Sequence, residues 1–176
     1  VFRLKGYIDE VLSNLQPLLR RSDHHIAVNC DELIEVDTYP GALSQIITNL
    51  VMNSLQHAFP DDMQGEMLIV VRNVYAKGLK TNLIELRFSD NGRGIPQENL
   101  SKIFDPFFTT LRGQGGSGLG LNIVHNLVSG PLQGQISVES QPGVGTTFIL
   151  RFPDGSVRQH ASGHADDAAD DAPPVV

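Results

Sequence analysis

A carboxylate followed by two glycines, Asp90-Asn91-Gly92-Arg93-Gly94, is the stretch of this chain richest in potential chemistry. Upstream of it Ile84, Leu86 and Phe88 alternate with Glu85, Arg87 and Ser89, the period of two that marks a half-buried strand. Asp90 shares the parity of the apolar set, so it is expected to face the covered side of a sheet. A polar group buried there without a donor costs roughly 1–3 kcal/mol, and more when charged. Gly92 and Gly94 let backbone approach something closely. A carboxylate at the bottom of a glycine-walled pocket reads as a ligand-recognition group, although Asp-Asn-Gly is also ordinary turn chemistry. A second set lies upstream: Asn49, Asn53 and His57 recur every four residues and share one stripe of a helix. Asparagine costs roughly 0.5 kcal/mol or more in a helix interior relative to alanine, so two in register invite a polar partner. An amide oxygen is a hard neutral ligand suited to Mg²⁺, which keeps several waters and takes substrate phosphates. The bland alternative is a solvated face, with His57 a satisfied edge residue.

Three further groups could join these. Gly113 to Gly120, GQGGSGLG, runs straight into a helical segment, an arrangement that aims backbone N–H groups and a positive dipole end at an anion. No Gly-Lys-Ser/Thr follows, so it is not a Walker A loop. It matches G-x-G-x-x-G at Gly113, Gly115 and Gly118, with Glu139 about 20 residues on. It lacks the βαβ setting of a dinucleotide site, because Phe104-Asp105-Pro106-Phe107-Phe108-Thr109-Thr110 makes a poor central strand. That segment holds three aromatics among glycines, which suits either a lid that docks and releases or a plug in the core. Thr146 shares strand parity with Phe148, Leu150 and Phe152, so its hydroxyl is expected to face inward, toward Asp90 or a ligand beside it.

The elements that must position these groups follow from periodicity. Ile8, Val11, Leu12, Leu15, Leu18 and Leu19 predict a helix from about Lys5 to Arg21, kinked or weakened at Pro17. Ile26 to Asn29 is a short strand, followed by an irregular stretch with Leu33 to Val36. Leu43, Ile46, Ile47, Leu50, Val51, Leu55 and Ala58 predict a helix from Pro40 to Ala58, with proline in its first turn and Pro60 closing it. Met67 to Tyr75 and Leu83 to Ser89 are strands joined through Lys77-Gly78-Leu79-Lys80. Residues 91–118 hold one short helical turn near Gln97 to Ile103. Leu119 to Val128 is a helix, and Gln135 to Ser140 and Thr146 to Phe152 close a last hairpin around Pro142-Gly143-Val144-Gly145. Two hairpins among interleaved helices argue for a mixed sheet with helices on one face, an α/β two-layer sandwich of the α+β kind.

Composition sets the outer bounds. The 176 residues suit one domain plus a tail. From Asp154 onward the chain lacks apolar periodicity and is rich in Ala, Asp and Gly, which reads as a disordered acidic tail after a domain spanning residues 1–153. Its five aspartates against Arg158 carry −4 of the chain's net −7, leaving no basic stripe for nucleic acid. The single cysteine, Cys30, rules out a disulfide framework and fits a reducing compartment. No run of 18 apolar residues and no signal peptide is present, so no direct membrane contact is expected of this segment. The start, Val1-Phe2-Arg3-Leu4 without Met, is that expected of a piece of something longer.

Taken in order, TNLVMNSLQHAF, SDNGRGIP, IFDPFFTT, GGSGLGLNIV and GVGTTF resemble the N box, first glycine box, F box, second glycine box and terminal strand of the ATP-binding catalytic domain of bacterial sensor histidine kinases. This is the GHKL, or Bergerat, ATPase-kinase superfamily, and the resemblance covers about Val1 to Pro153. It implies a mixed sheet of about five strands under three helices. It also implies that Asp90 accepts the adenine amino group, that Gly92 and Gly94 let the base approach beside Ile95, and that Asn53 binds Mg²⁺ with Asn49 on the triphosphate side. Gly116, Ser117, Gly118, Leu119, Gly120 and Leu121 would then line the phosphates. Phe104, Thr109 and Thr110 would belong to an ATP lid running to Arg112, Thr146 would sit near Asp90 and the base, and His57 near the phosphates.

Two departures bear on mechanism. Leu111 stands where the family often has a basic residue, with Arg112 next. None of His24, His25, His57, His125, His160 and His164 has the setting of a phosphoacceptor. The resemblance therefore implies a cytoplasmic domain that binds ATP and Mg²⁺ and donates the γ-phosphoryl group to a histidine on a separate dimerisation domain, with a response regulator receiver domain downstream. Superfamily ATPases carry a glutamate four residues before the Mg-binding asparagine, a position occupied here by Asn49. The alternatives are an ATPase or serine kinase of the same superfamily, and a non-catalytic ATP-binding interaction module.

Overall fold

The computed structural model describes residues 1–79, 81–110 and 116–155. A short strand β1 (Phe2–Arg3) opens into helix α1 (Leu4–Ser22), which presents Leu4, Ile8, Val11, Leu12, Leu15 and Leu19 to the core. Pro17 does not break this helix. It sits on the exposed side, where the carbonyl it leaves unpaired can reach water. β2 (His25–Cys30) follows, then β3 (Glu35–Val36), which pairs antiparallel with β1. α2 (Pro40–Asn53) has proline in its first turn, as expected, and continues into a π-helical turn over Ser54–Ala58.

The long hairpin of β4 (Glu66–Ala76) and β5 (Thr81–Asp90) matches the predicted pair, and Lys80 of its turn lies outside the described residues. A single 3₁₀ turn, Gln97–Asn99, is the regular element of the next stretch. α3 (Gly120–Ser129), β6 (Gln135–Gln141) and β7 (Gly145–Pro153) complete the chain. The main sheet runs β2-β4-β5-β7-β6, with β2 and β4 parallel and the other pairs antiparallel. It is the mixed sheet with helices on one face that the periodicity predicted, with the five strands and three helices that the resemblance implied.

Between the two layers Phe88, Phe148 and Phe152 of the sheet meet Leu43, Ile46, Ile47 and Leu50 of α2, all fully buried. On the opposite face Glu85 accepts from Arg87 at 2.8 Å and Arg151 at 2.7 Å. Those charges explain why that side of the sheet carries no helix. Asp154 and Gly155 pack beside Asp37, whose N–H donates to the Asp154 carbonyl at 2.8 Å. The rest of the expected acidic tail, residues 156–176, lies outside the described residues.

Candidate functional site

Asp90 is the last residue of β5, paired in register with Met67 of β4 and Thr146 of β7. The alternation of β5 turns it inward, as its parity predicts, and it is 8 % exposed. Ser54 Oγ donates to Asp90 Oδ2 at 2.9 Å, and the Gly92 N–H donates to Oδ1 at 3.0 Å. Burial raises the carboxyl above the ordinary carboxylate range. Donors from Gly92, Ser54 and the Thr146 backbone pull against it. Thr146 is buried beside it, and its hydroxyl is engaged with Ser140 Oγ at 2.8 Å rather than with Asp90.

A cavity of about 510 Å³ opens next to Asp90, between α2 with its π turn, the end of β5, the segment from Arg93 to Thr110 and the start of α3. Asn49, Asn53 and His57 all line it, so the four-residue spacing does place them on one wall. The Asn49 amide nitrogen is buried behind that wall, with no hydrogen-bond partner among the described residues. A buried donor without a partner is costly, which marks Asn49 as a side chain kept at this wall at some expense. His57 is half-buried and held below the ordinary imidazole range, chiefly by burial and then by the charge of Arg93. Among the described residues no cluster of three His, Cys, Asp or Glu side chains could cage a metal. The amides of Asn49 and Asn53 instead suit an ion that takes its remaining ligands from water and phosphate.

The far wall comes from the glycine-rich segment and the aromatic one. Ser117, Gly118, Gly120 and Leu121 line the cavity, and so do Phe108, Thr109 and Thr110. Gly118 adopts φ +67, and a Cβ on it would lie 2.5 Å from the Phe107 carbonyl carbon. Only glycine allows the two segments to cross this closely. The three phenylalanines divide their work: Phe104 packs on Phe148 at 6.4 Å and His125 at 5.6 Å, Phe108 faces the cavity, and Phe107 is exposed. Phe104 thus fits the plug reading, while Phe108 lines the cavity. Leu111, Arg112 and Gly113 to Gly115 lie outside the described residues.

Of the residues singled out from sequence, Gly94, Ile95 and Thr146 also line the cavity, whereas Gly92, Phe104, Gly116 and Leu119 stand behind it. What approaches Gly92 is Ala58 of the π turn, where a Cβ would meet Ala58 Cβ at 2.5 Å. Leu119 leads α3, and its N–H donates to Ser117 Oγ at 3.3 Å. Sequence reasoning missed Ser54, Met52, Gln56 and Arg93. Ser54 could have been found, since it continues the buried stripe of Ile47, Leu50 and Val51 as a lone hydroxyl. Arg93 could have been noted as the one cation among the described residues of the cavity wall.

Residues 38–156 match the family model described as histidine kinase-, DNA gyrase B-, and HSP90-like ATPase. The chain is 31% identical over 160 residues to the autoinducer 2 sensor kinase/phosphatase LuxQ of Vibrio cholerae, covering 86% of this chain and 18% of that protein. It thus spans less than a fifth of that relative's length. The solved catalytic domain of histidine kinase ThkA superposes with a TM-score of 0.73 at 28% identity, covering 87% of this chain and 93% of that one. ThkA in complex with the response regulator protein TrrA matches at TM-score 0.68 and 25% identity, over 87% of this chain and 41% of that one.

Proposed function

This chain belongs to the family of histidine kinase-, DNA gyrase B- and HSP90-like ATPases, as a sensor histidine kinase catalytic domain, and we propose that it holds ATP with Mg²⁺ in the cavity beside Asp90 and presents the γ-phosphoryl group to a histidine of a dimerisation domain. The observation that carries this reading is Asp90 itself, a carboxylate buried at the cavity edge with Ser54 and Gly92 fixing its two oxygens. Held so, it offers its remaining lone pairs to the amino group of adenine. Asn53 would contribute an amide oxygen to Mg²⁺, and Asn49, on the same wall, would stand on the triphosphate side. Bound Mg²⁺ would supply charge neutralisation on the phosphates. Gly118 and Gly120, at the start of α3, would turn backbone N–H groups and the helix's positive end toward them.

The cavity wall supports transfer to an external nucleophile over hydrolysis. Asp90 is the only carboxylate among its described residues, and it is already engaged at the other end from the asparagines. Among the described residues of the cavity wall no carboxylate stands beside Asn53 to activate water, and Asn49 occupies the preceding turn. What the protein supplies is positioning and electrostatics, which is what phosphoryl transfer chiefly needs. The ThkA–TrrA complex supports a response regulator as the downstream partner, and the proposed setting is cytoplasmic.

Calorimetry with ADP and with a non-hydrolysable ATP analogue, with and without Mg²⁺, tests this reading on the native chain and on Asp90→Asn. The native chain is expected to bind in a Mg²⁺-dependent way. The variant should bind more than about tenfold more weakly, the worth of a charge-assisted hydrogen bond. Absence of binding by the native chain would overturn the reading in favour of an interaction module.

A further inference from the structure

Asn122 lies in the first turn of α3, in a position to which the sequence pattern assigns nothing. Its Nδ2 donates to the main-chain carbonyl of Phe104 at 3.0 Å, and its Oδ1 accepts from Asn126 Nδ2 at 3.3 Å, one turn further on. The second bond orients the amide so that its nitrogen faces the carbonyl. His125, on the same stripe of the helix, packs against the Phe104 ring. Three residues later Phe107 takes φ +66, a left-handed conformation costly for a bulky residue, with Gly118 against its backbone.

Two fastenings therefore tie the segment from Phe104 onward to α3. The backbone crossing at Phe107 and Gly118 is steric. The amide of Asn122 is the directional one, because a hydrogen bond fixes rotation where a packed ring does not. Downstream of both, Phe108, Thr109 and Thr110 reach the cavity opposite Ser117 and Gly118. We propose that Asn122 is a positioning residue, which holds the Phe104 carbonyl so that residues 108–110 keep their place across the cavity from the glycine-rich segment. It touches no ligand. The consequence for nucleotides rests on the reading above: Thr109 and Thr110 stand at the phosphate side, so displacing them weakens a triphosphate more than a diphosphate.

The test compares the native chain with Asn122→Ala and Asn122→Asp. The aspartate keeps the size of the side chain and an acceptor for Asn126 but loses the donor to Phe104, and a carboxylate is tolerated in the first turn of a helix. Amide hydrogen exchange without nucleotide is expected to rise about fivefold to tenfold over residues 104–110 in both variants, the loss of one neutral hydrogen bond. Exchange in β5 and β7 should stay as in the native chain. Unchanged exchange over 104–110, or a rise spread through α3 and the sheet, would overturn the positioning role. Calorimetry then reads selectivity: the Mg²⁺-bound ATP analogue should weaken about fivefold in both variants and ADP stay within about twofold. Equal weakening of both overturns the selectivity claim. If the native chain binds neither nucleotide, the nucleotide reading and the selectivity claim both fail, while exchange still decides the positioning role.

Discussion

Asp90 is held by donors from three directions, and each has a different replaceability. The Gly92 and Thr146 contacts come from backbone, so no substitution removes them cleanly. Ser54 is the only side-chain donor among the described residues, and it is fully buried on α2's continuation. In Ser54→Ala the carboxylate keeps two N–H donors but loses the one that fixes Oδ2. The expected cost is about 1–3 kcal/mol in urea unfolding with an unchanged m-value, because a buried charged acceptor loses part of its solvation. Adenine nucleotide affinity should fall about threefold to tenfold, less than in Asp90→Asn, since the recognising group remains. A variant as stable and as tight-binding as the native chain would show that the hydroxyl is incidental. The parity of β5 made Asp90 legible from sequence, whereas Ser54 was hidden because a single serine on an apolar stripe looks like tolerance rather than function. Asn49 was legible by spacing alone, and the structure sets it on the same cavity wall as Asn53 and His57.

Elements with a strong period were readable to within a residue or two: β4, β5, β6, β7 and α3 lie where alternation and helical spacing put them. What the pattern could not carry is also clear. β1 and β3 are two residues each, too short for any alternation, and they exist because the chain entering α1 lies beside Ile34 and Glu35. The π turn at Ser54–Ala58 adds residues per turn without disturbing which ones are apolar, so the periodicity of α2 runs through it unmarked. Pro17 was expected to kink or weaken α1, and the helix runs through it with the proline on its solvent side. That placement predicts a stabilising substitution. Pro17→Ala restores an intrahelical N–H and removes the ring clash, so unfolding free energy should rise by about 1–3 kcal/mol, read as a higher melting temperature. Gly118→Ala should do the opposite, losing about 1–3 kcal/mol, because alanine at φ +67 is strained and its Cβ meets the Phe107 backbone. Equal melting temperatures for that variant and the native chain would mean that Gly118 and Phe107 do not cross so closely in solution.

At the scale of the whole molecule, two histidines, one at the β2 edge of the sheet and one on the cavity wall, are expected to make stability depend on pH. His24 Nδ1 accepts the Gly65 N–H at 2.8 Å, and its ring packs on Phe59 at 4.5 Å. The loop so held leads straight back to the π turn that carries His57. Both imidazoles sit below their ordinary range, His24 mainly through burial with Asp23 opposing and His25 assisting, His57 through burial and Arg93. The sign follows from which state protonates first. As pH falls through about 6.5, the unfolded chain takes up protons that the folded chain still refuses, so stability drops as pH falls below that value. Protonated Nδ1 can no longer accept from Gly65, so the loss has a structural seat. Asp90 acts oppositely and lower on the scale: its raised carboxyl favours the folded state's protonation, so acid relieves part of its burial cost as pH falls toward the carboxylate range. The urea midpoint of the native chain should therefore decline between pH 7.5 and 5.5. In His24→Gln, whose amide oxygen can still accept the Gly65 N–H, the decline should flatten, and in His24→Gln/His57→Gln it should flatten further. An undiminished slope in the double variant would place the acid sensitivity elsewhere in the fold.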